Sequence, residues 1–477
     1  LLNANVSDAV DSEMKGLISD LRTLIRQPSV SARKQGLNEC ARLVSRIMVK
    51  SGIKAEVLNL GLYDGDEKKE AAPIVYGEVR SKANPNAKTI LFYNHYDVQP
   101  EEPVEFWEAD PFSGKVKGNY IYGRGSADDK GELITRVKAV EYFLKRTGDV
   151  PCNVKFIVEG EEEIGSVNIE KYLSKYRHKL SADGVIWEFG YVDEKNRPII
   201  SLGMKGLLYV ELIARGPSRD VHSSLAVLIE NPSWRLVQAL NSIRNTKGKI
   251  LIKDWYKEAR EFTSEELELV SREQFNEQEF KREYAVRKFV NNVRSIQARK
   301  ALVGMPTCNI AGLAAGYAGQ GAKTVLASTA IAKIDFRLVP NMDPKRQLGR
   351  LTNHLKKHGF GKDIEIKFIH GEAASRTPVN EPFVKQVTDS AAEAFGIEPI
   401  ISVSSSGTGP MHSFVKVLGT PCVSIGSTSI HARIHSPNEF ARIDLLNKAT
   451  KCIAAIIENF GKQSMVAPQQ TKRKIKG

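Results

Sequence analysis

Cysteine is scarce in this chain. The five residues, Cys40, Cys152, Cys308, Cys422 and Cys452, are an odd number in 477, lie far apart and form no Cys-x-x-Cys pair. That spacing argues against a disulfide framework and for buried thiols in a reducing compartment. Apolar runs are short as well. None approaches the ~20 residues that a membrane-spanning helix needs, so no membrane partner is expected. No secretory signal is visible, and a cytoplasmic location is expected. The sequence contains no P-loop, dinucleotide fingerprint, zinc-finger spacing or RNA-binding signature. It also has no Gly-x-Ser-x-Gly elbow, which disfavours a Ser–His–Asp hydrolase.

At 42% apolar and 26% charged residues, the 477-residue chain has the composition of a globular protein. Its length suggests two or three domains and a large buried core. The net charge is 69 − 56 = +13, but the basic residues are spread along the chain. Only Lys472, Arg473, Lys474 and Lys476 cluster, which reads as a solvated end, and no nucleic-acid partner is expected.

Met14, Leu17, Ile18, Leu21, Leu24 and Ile25 recur at helical spacing and predict an amphipathic helix over ~9–26. Four short apolar runs then end abruptly in polar loops. Thr89–Tyr93 leads into Asn94-His95-Tyr96-Asp97, and Val154–Val158 leads into Glu159-Gly160-Glu161-Glu162-Glu163. Gly184–Trp187 leads into Glu188, and Pro421–Ile425 into the loop with His431 and His435. Lys130–Arg146 reads as a helix with Leu133, Val137, Val140, Phe143 and Leu144 on one side. Strands alternating with helices imply an α/β fold with a parallel sheet, whose ligands bind beyond the carboxyl ends of the strands.

The middle of the chain reads differently. Leu207–Ala214 and Thr324–Val339 carry strand patterns, and Leu251–Lys300 holds 21 charged residues in 50. Phe262-Thr263-Ser264-Glu265-Glu266 resembles a capping box, and the charged stretch reads as a solvated helical surface. Residues 207–376 are thus expected to form a second, inserted α+β domain, and 1–206 with 377–477 a discontinuous first domain. A helix over Asn380–Gly396 returns the chain to that first domain.

Histidines and carboxylates gathered at strand ends point to divalent metal. Two divalent cations would be balanced by Asp128, Glu163, Glu188 and a bridging hydroxide, with His95 and His435 as neutral ligands. Asp97, two residues beyond His95, could hold its other ring nitrogen. Arg337 could take a substrate carboxylate in a bidentate contact.

Tyr93-Asn-His-Tyr-Asp97, Tyr122-Gly-Arg-Gly-Ser-Ala-Asp-Asp-Lys-Gly131, Glu159-Gly-Glu-Glu-Glu-Ile-Gly-Ser166 and Ile434-His-Ser-Pro-Asn-Glu439 follow one another in the order found in M20-type metallopeptidases. The chain resembles that family over about residues 10–460. Ile334-Asp-Phe-Arg-Leu-Val-Pro-Asn-Met342 and Asp220-Val-His-Ser-Ser224 look most like its carnosinase-like dipeptidase branch. The resemblance implies a catalytic α/β domain and a lid domain that forms a homodimer. Asp128 would bridge two metal ions, with His95 and Glu188 completing one shell and Glu163 and His435 the other. Zinc is expected, with manganese or cobalt tolerated. Glu162 would be the general base and acid, Asp97 an orienting carboxylate, and the Asp128–Asp129 peptide cis.

The resemblance also places His222 against the substrate, from the partner protomer, together with Arg337, Thr324, His370, Ser406 and Gly407. The expected reaction is hydrolysis of the peptide bond of a dipeptide or similar small peptide, through a metal-bridging water activated by Glu162. Glu188 stands where dipeptidases of this family tend to carry Asp. It therefore keeps an N-acyl amino-acid amidohydrolase or carboxypeptidase as the alternative. A non-catalytic binding protein on the same fold is disfavoured, because Glu162 is retained beside Glu163.

Overall fold

The computed structural model describes residues 4–61, 70–273 and 275–463; the basic cluster at 472–476 lies outside them. The described residues of Leu1–Leu202, Thr377–Ile401 and Ser413–Gly477 form one compact unit, and Gly203–Arg376 with Ser402–His412 form a second. The segment Ser402–His412, read from sequence as part of the first domain, belongs to the second unit. Its backbone is held there by Ser405 N donating to Gly203 O (2.8 Å) and Lys205 N to Gly407 O (2.9 Å).

An eight-stranded sheet organises the first unit. Its order is Lys54–Leu58, Ile74–Val79, Asn153–Glu159, Thr89–His95, Gly184–Trp187, Cys422–Ser424, Ile199–Ser201 and Ile400–Ser402. The four neighbours from Asn153–Glu159 to Cys422–Ser424 run parallel. These are the four apolar runs of the sequence. A parallel strand covered on both faces loses the in–out alternation and reads as a continuous apolar run; Asn153–Glu159 is buried throughout. Parallel pairing puts the carboxyl ends side by side, with His95 opposite Glu159.

Helix Lys130–Thr147 packs against Ile443–Gln463, Ala4–Ser12 and Met14–Ile25. The expected one-sided burial is not what forms: Lys130 to Phe143 is buried all round. Its charges go inside in pairs, Arg136 with Glu132 at 3.0 Å and Lys138 with both Asp20 and Glu141 at 2.6 Å, because a buried charge survives only when matched. The helix expected over 9–26 is two, Ala4–Ser12 and Met14–Ile25, parted at Glu13, whose carboxylate reaches Lys145 (3.0 Å) and Arg146 (3.1 Å).

The second unit is a four-stranded antiparallel sheet ordered Thr307–Ala315, Thr329–Leu338, Gly206–Arg215 and Ile364–Glu372. Helices Pro232–Ile243 and Pro344–Lys357 pack on it. Both start with Pro behind an Asx cap, Asn231 on Ser233 N and Asp343 on Arg346 N. Leu208, Val210, Leu212, Ile334, Phe336, Trp255 and Leu351 form their shared core.

The charged stretch contains helices Ser264–Arg272 and Glu277–Glu283 and most of Ser295–Gly304, and Thr263 and Glu266 form the capping box. It is not a uniformly solvated surface. Trp255, Glu266 and Val270 are buried, and Glu266 pairs with Arg260 and Arg376.

Candidate metal centre

His95 is the last residue of its strand, and Glu188 follows the last residue of the next. Glu159 closes the third strand, and Gly160 then turns the chain beneath Tyr96. A Cβ on Gly160 would fall 2.2 Å from Tyr96 Oη, so only glycine lets the triple-Glu loop start there. Asp128 precedes helix Lys130–Thr147 across a cis peptide to Asp129. His435, in the loop beyond Cys422–Ser424, has the left-handed backbone φ of 59°.

These side chains converge. Asp128 stands between the imidazoles, Oδ1 3.1 Å from His95 Nε2 and Oδ2 3.1 Å from His435 Nε2. Glu163 Oε2 lies 3.1 Å from His435 Nε2, and Glu188 Oε2 3.9 Å from His95 Nε2. Two overlapping groups that share His95, one with Asp128 and Glu163 and the other with Glu162 and Glu188, bring their ligand-type atoms within 4.8 Å of one another.

The donor set fits divalent metal on a further count. Glu188 is buried, yet no hydrogen-bond donor among the described residues reaches its Oε2. A buried carboxylate oxygen aimed at an imidazole and lacking a donor is an oxygen suited to a metal ion.

Electrostatics follow from the crowding. Burial pushes Glu162 well above the usual carboxylate range; His95 opposes this, and Glu163, Asp128 and Asp97 reinforce it. Glu188 is raised in the same way, by burial and then Glu162. His435 rises to about 10 through its bonds to Asp128 and Glu163. Burial alone would lower His95, but hydrogen bonds to Asp128 and Asp97 carry it well above its ordinary value. A cluster that draws protons this strongly draws cations for the same reason.

The supporting contacts differ in part from expectation. His95 Nδ1 sits 3.0 Å from the backbone carbonyl of Asp97 and 3.4 Å from its carboxylate. That carboxylate also accepts the amides of Glu162 (3.2 Å) and Glu163 (3.0 Å). Glu161 turns away to Ala72 N and Asn168 Nδ2, both at 2.9 Å, which separates it from the other two glutamates.

Sequence reasoning assigned Asp129 no role. It makes no cap bond, and its Oδ2 instead accepts from Asn94 Nδ2 (2.8 Å) and His95 N (3.0 Å), fixing the strand end. It also missed Gln99, which donates to Glu163 Oε2 at 2.8 Å.

The residues expected to meet substrate lie in the second unit. Thr324 Oγ1 is 3.2 Å from His222 Nε2. Arg337 Nη1 donates to Thr408 Oγ1 at 2.7 Å, in the loop that contains Ser406 and Gly407. His370 lies opposite Tyr209 in the sheet, and no hydrogen bond joins it to either pair.

Parallel strand ends that gather two imidazoles and several buried carboxylates define a metal-dependent hydrolase of the α/β class. The chain belongs to peptidase family M20/M25/M40, whose profile matches residues 91–459, and it is a metallopeptidase. It is 29% identical over 361 residues to the Cys-Gly metallodipeptidase dug1 of Schizosaccharomyces pombe, covering 73% of this chain and 75% of that one. To the human Beta-Ala-His dipeptidase it is 27% identical over 396 residues, 80% of this chain and 76% of that one. Among solved structures, the M20 family metallo-carboxypeptidase Sso-CP2 from Sulfolobus solfataricus superposes with a TM-score of 0.86 at 38% identity, covering 94% and 99% of the two chains.

Proposed function

We propose that this metallopeptidase hydrolyses the peptide bond of dipeptides or similarly small peptides at a dinuclear metal centre. The observation that carries the reading is Asp128, whose two carboxylate oxygens each lie 3.1 Å from a different imidazole. His95, Asp128 and Glu188 would hold one ion and Asp128, Glu163 and His435 the other; zinc is the ion proposed, and manganese or cobalt would suit the same donors. Bound divalent ions would supply the Lewis acidity that acidifies water and polarises a carbonyl. Glu162 takes the proton of the attacking water and returns it to the leaving amine, a task suited to a carboxylate raised by burial. Asp97 holds Glu162 and Glu163 by their amides. Arg337 takes the substrate's free carboxylate, with the Ser406–Gly407 loop beside it, and His222, Thr324 and His370 complete the substrate contacts.

The second unit is proposed to be the lid and homodimer domain. Val227 (87% exposed), Leu228 (85%) and Trp234 (66%) are apolar side chains left exposed there, which supports that reading. Free thiols, mostly buried, support a cytoplasmic location. Among the described residues, no helix is long and apolar enough to cross a membrane.

A second reading, carboxypeptidase or N-acyl amino-acid amidohydrolase, is favoured by Glu188 as ligand and by the 38% identity to a metallo-carboxypeptidase. Hydrolysis of a matched panel of dipeptides, longer peptides and N-acyl amino acids, with a chelated control, separates the two. Chelator-sensitive cleavage of free-amine dipeptides is expected. Preference for acylated amino acids or longer peptides would move the assignment to the second reading.

A further inference from the structure

A buried ion pair joins the loops that carry Asp128 and His435, and neither partner is a proposed ligand. Glu439, four residues past His435, and Arg124 are each 1% exposed, and Arg124 Nη1 donates to Glu439 Oε2 at 2.8 Å. Three backbone amides of the turn ending in Asp128 converge on the same carboxylate. Gly125 N donates to Oε2 at 3.1 Å, while Ala127 N and Asp128 N donate to Oε1 at 3.0 and 3.1 Å. Gly123 N donates to the Glu439 carbonyl at 3.0 Å. Arg124 donates in turn to Ser436 O (3.4 Å) and Pro100 O (3.0 Å), and its guanidinium lies 5.4 Å from the Trp107 ring centre. All these residues lie in the first unit.

The chemistry of this seam is specific. Four converging donors need two oxygens that both accept, which a carboxylate provides and an amide does not. The guanidinium offsets the charge, so the carboxylate can sit in the interior. The seam fixes the backbone of Asp128 relative to the loop that presents His435.

We propose that Glu439 is a positioning residue for the metal centre: it clamps the Gly123–Asp128 turn to the His435 loop, so that Asp128 and His435 meet a shared divalent cation in one fixed geometry. The inference rests on the metal-centre reading above.

The test compares the parent protein with Glu439→Gln after metal stripping. Each is titrated calorimetrically with Zn²⁺ and separately with Mn²⁺. Thermal unfolding of the metal-free forms and the visible spectrum of the cobalt-loaded forms are recorded alongside. The variant is expected to fold, to bind one ion ~10–100-fold more weakly and to show an altered cobalt spectrum, the scale typical of losing a group that orients a ligand. Affinities within about twofold of the parent, with an unchanged spectrum, overturn the proposal. If Glu439→Gln does not fold, Glu439→Asp takes its place, since it keeps the charge but is one methylene short. A folded Glu439→Asp with weakened metal binding supports the proposal, and one with parental binding overturns it. Loss of the folded state in both variants also overturns it, because Glu439 then serves the fold rather than the metals. A parent protein that binds neither ion would instead overturn the metal-centre reading itself.

Discussion

The Asp97 carboxylate holds Glu162 by its backbone: Oδ1 accepts the Glu162 amide at 3.2 Å, while Oδ2 accepts the neighbouring Glu163 amide at 3.0 Å. One buried carboxylate thus sets the position of both the proposed base and a proposed ligand. Asp97→Asn keeps the size but turns an NH₂ group toward one of those amides. Turnover is expected to fall roughly 10–100-fold together with metal affinity, measured by steady-state kinetics and metal titration. A change in turnover alone would confine Asp97 to the base.

Removal of metal should destabilise the protein as well as silence it. Asp128, Glu162, Glu163 and Glu188 crowd around His95 and His435, and bound cations would offset their repulsion. Binding to the folded state alone adds about 4 kcal/mol at a thousandfold excess over Kd. Stripped protein is therefore expected to melt several degrees lower, and readdition of Zn²⁺ or Mn²⁺ should restore both melting point and activity. An unchanged melting point on stripping would contradict the metal assignment.

Arg337, fixed to Thr408 at 2.7 Å, is the proposed anchor for the substrate's carboxylate. Arg337→Met is expected to raise KM ~10–100-fold for substrates with a free C-terminal carboxylate, the scale of a lost charge-assisted pair. C-terminally amidated analogues should bind the parent and the variant alike. An equal loss for both substrate types would assign Arg337 to the loop instead.

Lys205 gives a pH dependence that is independent of the metals. Its ammonium is buried against the Met305 carbonyl at 2.6 Å, and burial, with Arg337 and Arg376 nearby, pushes it down to about 8 from 10.5. Between those values the unfolded chain binds the extra proton. The stability this lysine contributes is therefore present above pH ~10.5 and lost as pH falls through ~8, by at most on the order of 3 kcal/mol. The melting point of the parent, taken relative to Lys205→Met, should rise from pH 7 to 10. A constant difference would show that Lys205 stays charged in the fold.

The four strands behind the metal centre were legible because parallel strands buried on both faces become apolar runs, and each run led into a segment carrying His or Glu. Other features had no such trace. Glu439 is engaged by backbone amides, and no residue type records the position of an amide. The burial of helix Lys130–Thr147 depends on Asp20 meeting Lys138 from another helix, so its polar side read as solvent-facing. Ser402–His412 changes unit at the end of strand Ile400–Ser402 and returns in the first turn of helix Met411–Leu418, where no pattern marks the crossing.

The most direct test of the account is turnover and metal content of Glu162→Gln. Glu162 is half-buried beside His95 and Glu188, and the loss of water there holds its carboxyl well above the usual range. Two bound ions are expected, as in the parent, with kcat reduced by ~10²–10⁴ on the best dipeptide, the scale of a lost general base. Near-parental kcat with both ions in place would contradict it and move the base elsewhere.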